Sequence, residues 1–431
     1  MNPNRELTVN LNINQANIKT EVLAGATTFL TMAYIMFVHP GILSATGMDK
    51  DALIAVTCIA AAIGTILVGL LTNTPIAMAP GMGLNSYFAY SIVLGENVSW
   101  QTALGIVFLS GLIFYVLTVV GIRKKLVEAI PRSLIYAISV GIGLFITFMG
   151  LVNIGIIVDN EMTLVSAGAL SGPVLIGLAG LLVMVVMQKL RIKGSLIAGI
   201  LFATVLGLIF NYVKAPSELI SFDIDLSPIA FQLDIRAALK GSLFGAIFAM
   251  MFIDMFDSIG TIIACGYKAG LADEQGRIRK LDRLLGIDAI ATMIGALLGT
   301  STTTAYIESA AGIEQGGRTG LTSIVTGLLF LSGLIFIPII GMVPGFATGP
   351  ALVMVGMFMI RDVVKIDFLK LDEAFPAFVI IVMIALSYSI STGLAFGFIS
   401  FTVLKLVSLK FRDIKPAMWV ITVLSVLFFV V

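Results

Sequence analysis

Apolar runs of membrane-crossing length recur along nearly the whole chain, broken by short clusters of charged and turn-forming residues. A helix needs about 20 mainly apolar residues to cross the hydrocarbon core of a bilayer. The pattern predicts fourteen spans, at 21–45, 51–72, 75–93, 101–121, 131–152, 172–188, 194–213, 238–265, 284–300, 303–316, 319–340, 344–360, 374–391 and 393–409. A last apolar piece, 416–431, is short for a span and suits the membrane interface.

Charge placement supports that number. With the N-terminus in the cytoplasm, 22 of the 26 Lys and Arg residues fall on the cytoplasmic side, and only Lys50, Lys214, Arg236 and Lys240 fall on the other. This is the bias the positive-inside rule requires, and a missed or extra span would scramble it. The stretch 1–20 is polar and lacks the apolar core and cleavage site of a signal peptide, so it reads as a cytoplasmic tail. Seven spans precede the 214–240 loop and seven follow it. An odd number per half inserts the second half upside down, the inverted repeat of many transporters. Two weak internal similarities agree, 69–84 laid on 296–311 and 195–208 on 391–404.

The third and tenth spans are interrupted. The third holds Asn73-Thr74-Pro75 and then Ala79-Pro80-Gly81-Met82-Gly83, where proline removes a backbone donor and glycine loosens the chain. The tenth holds Gly299-Thr300-Ser301-Thr302-Thr303-Thr304, a poor helix interior. Each predicts a short extended stretch followed by a half-helix, over 83–93 and 308–316. Irregular backbone survives at membrane depth only where protein or a polar cavity satisfies it. Paired interruptions in two halves point to a midplane binding site.

Composition excludes other classes. The chain is 58% apolar and 12% charged, more apolar than one soluble core can hide. Its net charge of +1 argues against nucleic acid as a partner. Cys58 and Cys265 lie in apolar segments and imply no disulfide framework. There is no Walker A sequence, and a single histidine without a cysteine cluster excludes the usual zinc sites. Ser258 and Ser309 have no histidine base nearby. An enzyme and a bound cofactor are therefore not expected.

Three acids stand out inside spans: Asp254 and Asp257 in the eighth, and Glu308 at the start of the tenth-span half-helix. Asp254 and Asp257 are three residues apart and so share a helix face. A carboxyl group at that depth is costly unless paired, wetted or protonated, and no basic residue lies mid-span to pair with it. Low dielectric favours the neutral carboxyl, which suits a proton-coupled mechanism with a proton as the coupling ion. Glu308 also sits where half-helix N–H groups favour an anion or polar ligand. His39, before Pro40, reads as a kink or cap residue, and Glu314 with Arg318 as a structural pair or gate contact.

Four ordered motifs then carry a resemblance: TTFLTMAYI (27–35), APGMGLNSYFAY (79–90), FIDMFDSIGT (252–261) and GTSTTTAYIESAAGIEQGGRTG (299–320). They resemble those of the AzgA-like purine permeases, a branch of the nucleobase–ascorbate transporter (nucleobase:cation symporter-2) family. The resemblance implies an all-α polytopic membrane protein of fourteen spans in two inverted seven-span repeats. A core domain comprises 21–121 (spans 1–4) and 238–340 (spans 8–11); a gate domain comprises 131–213 (spans 5–7) and 344–431 (spans 12–14 with the C-terminal piece). It implies uptake of adenine, guanine or hypoxanthine with protons and a homodimer through the gate domain; with no organelle signal visible, a plasma or bacterial inner membrane is the default location. The substrate acids of the family fall on Asp257 and Glu308, and the asparagine of span 3 on Asn85. Uracil-transporting relatives carry a histidine where this chain has Thr261, which fits the purine branch. Ala79, Met82 or Tyr306 suit a flat apolar base as walls, and proton coupling would fall to Glu308, Asp257 and Asp254. The alternative within this architecture is an anion permease or exchanger, which would want a basic group at the half-helix junction in place of two acids.

Overall fold

The computed structural model describes residues 17–121, 130–273 and 278–430. Most of the expected cytoplasmic tail, and the basic residues expected inside at 123–125 and 277, lie outside the described residues. The fold is mostly helical and is that of a membrane protein. In chain order come α1 (Ile18–Met32), α2 (Ile35–Leu43), α3 (Lys50–Thr72), β1 (Met78–Pro80), α4 (Met82–Ser86, prolonged by a wider turn to Gly95), α5 (Trp100–Val120) and α6 (Arg132–Ile154). A hairpin of β2 (Ile157–Asn160) and β3 (Leu164–Ala167) precedes α7 (Gly172–Lys189) and α8 (Ser195–Ile209). Then follow α9 (Phe244–Lys268), α10 (Leu281–Leu298), β4 (Thr303–Ala305), α11 (Ser309–Glu314), α12 (Gly320–Ser332), α13 (Gly345–Ile360), α14 (Leu371–Ser387), α15 (Ile390–Val407) and α16 (Pro416–Val430).

Among the described residues, nine helical stretches are long and apolar enough to cross a bilayer. The other five expected spans also fall on ordered elements, each with a reason for missing that measure. The third and tenth contain strands, α8 and α14 are shorter, and α10 carries Asp282, Arg283 and Asp288. The apolar piece at the end of the chain is a helix packed on α15. The β2–β3 hairpin, exposed over much of its length, was not predicted.

Helix ends follow local chemistry. Asp49 caps α3 by accepting from the Ala52 N–H at 2.8 Å, and Asn73 closes it in the left-handed conformation. The Asn73 side chain then accepts the Gly320 N–H at 2.8 Å, capping α12 as well. Glu21 on α1 is buried and accepts from the N–H groups of Arg318 and Thr319 and from the Thr322 hydroxyl. A carboxylate at a helix N-terminus answers donors the helix itself leaves open.

The helices pack mainly within two sets. α1 packs on α12, α12 on α3, α3 on α10, and α10 on α5, with α9 against α5. Separately, α13 packs on α6 and α7, α14 on α6 and α15, α7 on α8, and α16 on α15. In lipid, close approach of small residues supplies much of the association. Gly69 packs against Gly320, where a Cβ on Gly320 would lie 2.0 Å from the Gly69 carbonyl oxygen.

Candidate functional site

The two interrupted spans meet. β1 and β4 pair antiparallel, with Met78 opposite Ala305, Ala79 opposite Thr304 and Pro80 opposite Thr303. These strands are two residues out of step with the internal alignment of 69–84 on 296–311. A two-stranded sheet has two open edges, and buried edges must find partners. Threonines from flanking helices supply them. On α3, the Thr65 hydroxyl donates to the Met78 carbonyl at 2.8 Å and accepts the Met78 N–H at 2.9 Å. On α10, the Thr292 hydroxyl does the same for Thr303, at 3.1 and 3.2 Å.

Past the strands, α4 and α11 lead away as the expected half-helices, with α11 running only from Ser309 to Glu314. The crossing is tied by side chains. The Ser301 hydroxyl donates to the Asn85 side-chain Oδ1, and the Tyr306 hydroxyl donates to the Pro80 backbone carbonyl. His39 is buried within α2 and shares a 2.7 Å hydrogen bond with the Thr300 hydroxyl, so it braces the strand rather than merely capping a helix.

Asp257 and Asp254 do not share an environment, although they lie on one helix face. The Asp257 side chain is exposed, whereas Asp254 is 1% exposed and accepts from Thr292 at 3.2 Å. From Asp257 an open stripe continues along α9 through Gly260, Thr261 and Ala264 to Lys268, on one face of the helix. A Cβ added at Gly260 would meet nothing. Glu308 begins a matching stripe on α11 through Ala311 to Glu314 and Gln315. The two stripes are bridged at their far end by Lys268 and Glu314, 2.7 Å apart. Glu314 therefore pairs with Lys268 and not with Arg318, whose guanidinium bonds the carbonyls of Ile313 and Gly317.

Glu308 is half-buried, and its Oε1 accepts the Tyr34 hydroxyl at 2.9 Å. Tyr34 lies in the gap between α1 and α2, so a third interrupted segment reaches the site. Sequence reasoning missed this one, since 27–35 shows no proline or glycine. It also missed a fourth acid. Asp288 on α10 is fully buried, and its Oδ2 accepts the Ser258 hydroxyl at 2.8 Å. Its position within an apolar run was the available signal. Among the residues expected to line the site, Ala79 is fully buried in the strand pair, Met82 and Tyr306 are nearly so, and Thr261 is half-buried on the open stripe. Asn85 is fully buried at the crossing.

On the opposite side of the strands, hydrogen bonds tie the extension of α4 to the segment that opens α15. The Tyr87 hydroxyl pairs with the Ser391 hydroxyl, and the Ser91 hydroxyl donates to the Tyr388 carbonyl. The Tyr388 ring stacks edge-on against Phe145 and Phe148. The open stripes of α9 and α11 lead to the two acids, whose carboxyl groups offer hydrogen-bond acceptors to a small polar molecule.

Comparison with known proteins identifies the family. Residues 19–396 match the Xan_ur_permease model, described as the Permease family. The chain is 40% identical to the adenine permease AdeP of Escherichia coli, over 95% of this chain and 92% of that one. It is 41% identical to the guanine/hypoxanthine permease PbuG of Bacillus subtilis, over 96% of each. In three dimensions it resembles the transmembrane domain of the cyanobacterial bicarbonate transporter BicA, with a TM-score of 0.66 at 16% identity, covering 88% of this chain and 97% of that one. With the family matched across most of its length, the chain belongs to this permease family, as a multi-pass membrane transporter and not an enzyme.

Proposed function

We propose that this permease takes up purine nucleobases (adenine, guanine or hypoxanthine) together with protons, by alternating access. The observation that carries the reading is the pair Asp257 and Glu308 at the head of the two open stripes, with no Lys or Arg hydrogen-bonded to either among the described residues. Carboxylates accept the ring N–H donors of a purine, and the half-helix N–H groups face its carbonyl or ring nitrogens. The names of the relatives, adenine and guanine/hypoxanthine permeases, favour the same substrate class. The resemblance to a bicarbonate transporter is at the level of the fold, and two acids without a cation suit an anion poorly.

In this reading the substrate is bound by Asp257, Glu308 and Asn85, with Tyr306, Ala79 and Thr261 shaping the space, and protons are carried by Glu308, Asp257 and Asp254. Fourteen spans form two inverted seven-span repeats, with the N-terminus and the Lys268–Glu314 mouth in the cytoplasm of a bacterial inner membrane. The two packing sets support a core domain of 21–121 and 238–340 and a gate domain of 131–213 and 344–431, with a homodimer through the gate.

Uptake of radiolabelled adenine, guanine, hypoxanthine, xanthine and uracil, with and without a protonophore, tests the proposal. Purine accumulation that collapses with the protonophore is expected. Glu308→Gln and Asp257→Asn should abolish it in folded protein. Uptake indifferent to the protonophore removes proton coupling, and near-normal uptake by both variants removes the site.

A further inference from the structure

The outer edge of β4 presents the N–H and C=O of Thr303, because its neighbours Thr302 and Tyr306 bond toward the partner segment, through Gly81 and Ala77. Both Thr303 groups are met by one atom, the Thr292 hydroxyl oxygen. That same oxygen lies 3.2 Å from Oδ2 of Asp254. A threonine hydroxyl has one hydrogen and two lone pairs. One lone pair takes the Thr303 N–H. The single hydrogen then has two possible acceptors, the Thr303 carbonyl and Asp254.

We propose that Thr292 is a positioning residue that transmits the proton on Asp254 to β4 by switching its one hydrogen between them. When Asp254 carries a proton, Oδ2–H donates to the second lone pair of Thr292, whose hydrogen goes to the Thr303 carbonyl. Every group is then satisfied and the strand edge is held. When Asp254 gives up its proton, the carboxylate takes the Thr292 hydrogen and the Thr303 carbonyl loses its donor. A buried carbonyl without a partner is unfavourable, so β4, which leads directly to Glu308, is held less firmly. Proton loading thereby preorganises the half-site for substrate.

Thr65 is the internal control. It clamps Met78 of β1 in the same way, but its hydrogen has a single acceptor on the strand and no acid hydrogen-bonded to it among the described residues. The switch belongs to the second interrupted span alone. The charged groups around Asp254 are all acids. Asp257 is on the same helix and faces Glu308, while Asp288 on α10 is bonded to Ser258, which in turn contacts the Thr304 hydroxyl. Oδ1 of Asp254 is buried without a hydrogen-bond partner among the described residues, as is Oδ1 of Asp288. Asp254 is thus wired to the strand through one contact, and that contact is the hydroxyl.

This inference rests on the proton-coupled purine reading, and one experiment separates the two. Hypoxanthine and adenine binding to the purified full-length chain in nanodiscs is measured from about pH 5.5 to 8.5, where a linked proton appears as a slope. Wild type should bind more tightly as pH falls, by about tenfold across the range, within the usual span of coupling between two sites. Thr292→Ser should keep that slope and Thr292→Val should lose it. Thr65→Val should keep it, whatever its effect on affinity. Asp254→Asn, whose amide N–H donates permanently to Thr292, should bind at high pH as tightly as wild type at low pH. It covers the case in which Thr292→Val does not fold. A wild-type slope retained by Thr292→Val, or a weak, sloping Asp254→Asn, overturns this inference alone. A flat wild-type profile overturns it together with proton coupling.

Discussion

Tyr34 donates a 2.9 Å hydrogen bond to Oε1 of Glu308 from the break between α1 and α2. The bond fixes one carboxylate oxygen and leaves the other for a ligand. A hydrogen bond to a charged group contributes about 1.5–3 kcal/mol, and each 1.4 kcal/mol is about tenfold in affinity. Tyr34→Phe, which keeps the ring, should therefore raise the KM for purine uptake by about tenfold or more while changing Vmax little. Kinetics at matched membrane abundance checks this, and an unchanged KM refutes it.

Asp288 gives a second prediction, because sequence reasoning passed over it. Its carboxylate accepts from Ser258 on α9 and so ties the two helices that flank β4. Asp288→Asn retains an acceptor for Ser258 but cannot ionise, whereas Asp288→Leu retains neither. Losing that buried contact should lower stability by about 1–3 kcal/mol in Asp288→Leu and by less in Asp288→Asn. Thermal unfolding in detergent distinguishes them; equal losses would show that the acceptor is not what matters.

The Gly69–Gly320 crossing is a third test. A Cβ at Gly320 would meet the Gly69 carbonyl oxygen at 2.0 Å, and that atom is backbone, so it cannot rotate away. Overpacking of this kind costs about 1–3 kcal/mol. Gly320→Ala should lower the unfolding temperature clearly, while Gly286→Ala, with open space around its added Cβ, should leave it nearly unchanged.

At the end of α14, Asp372 accepts from Lys405 at 2.7 Å and from Lys410 at 2.9 Å, and both Asp372 and Lys405 are largely buried. The two lysines hold the Asp372 carboxyl down to about 2. A carboxyl lowered on folding stabilises above its ordinary pKa of about 4, and the contribution is lost as pH falls toward 2. Asp372→Asn should cost about 2 kcal/mol at neutral pH, a difference that shrinks on acidification. Unfolding measured at several pH values checks the sign.

The apolar membrane-crossing character of the chain and the two broken spans were legible in the sequence, for a definite physical reason. Lipid demands long apolar runs and forbids unsatisfied backbone, so the two strand-forming interruptions showed as proline, glycine or hydroxyl-rich segments, whereas the break at Tyr34 carried no such mark. Asp257 and Glu308 were legible too, as charges where charge is costly. What the sequence did not contain was the partnering. That β1 meets β4, that Thr65 and Thr292 close their edges, and that Tyr34 reaches Glu308 all join residues far apart in the chain. The division between Asp254 and Asp257 is of the same kind. They share a helix face, and only the packing of α10 buries one while the other is left exposed. A local pattern states what a residue tolerates, and the neighbours that decide its role arrive only with the tertiary fold.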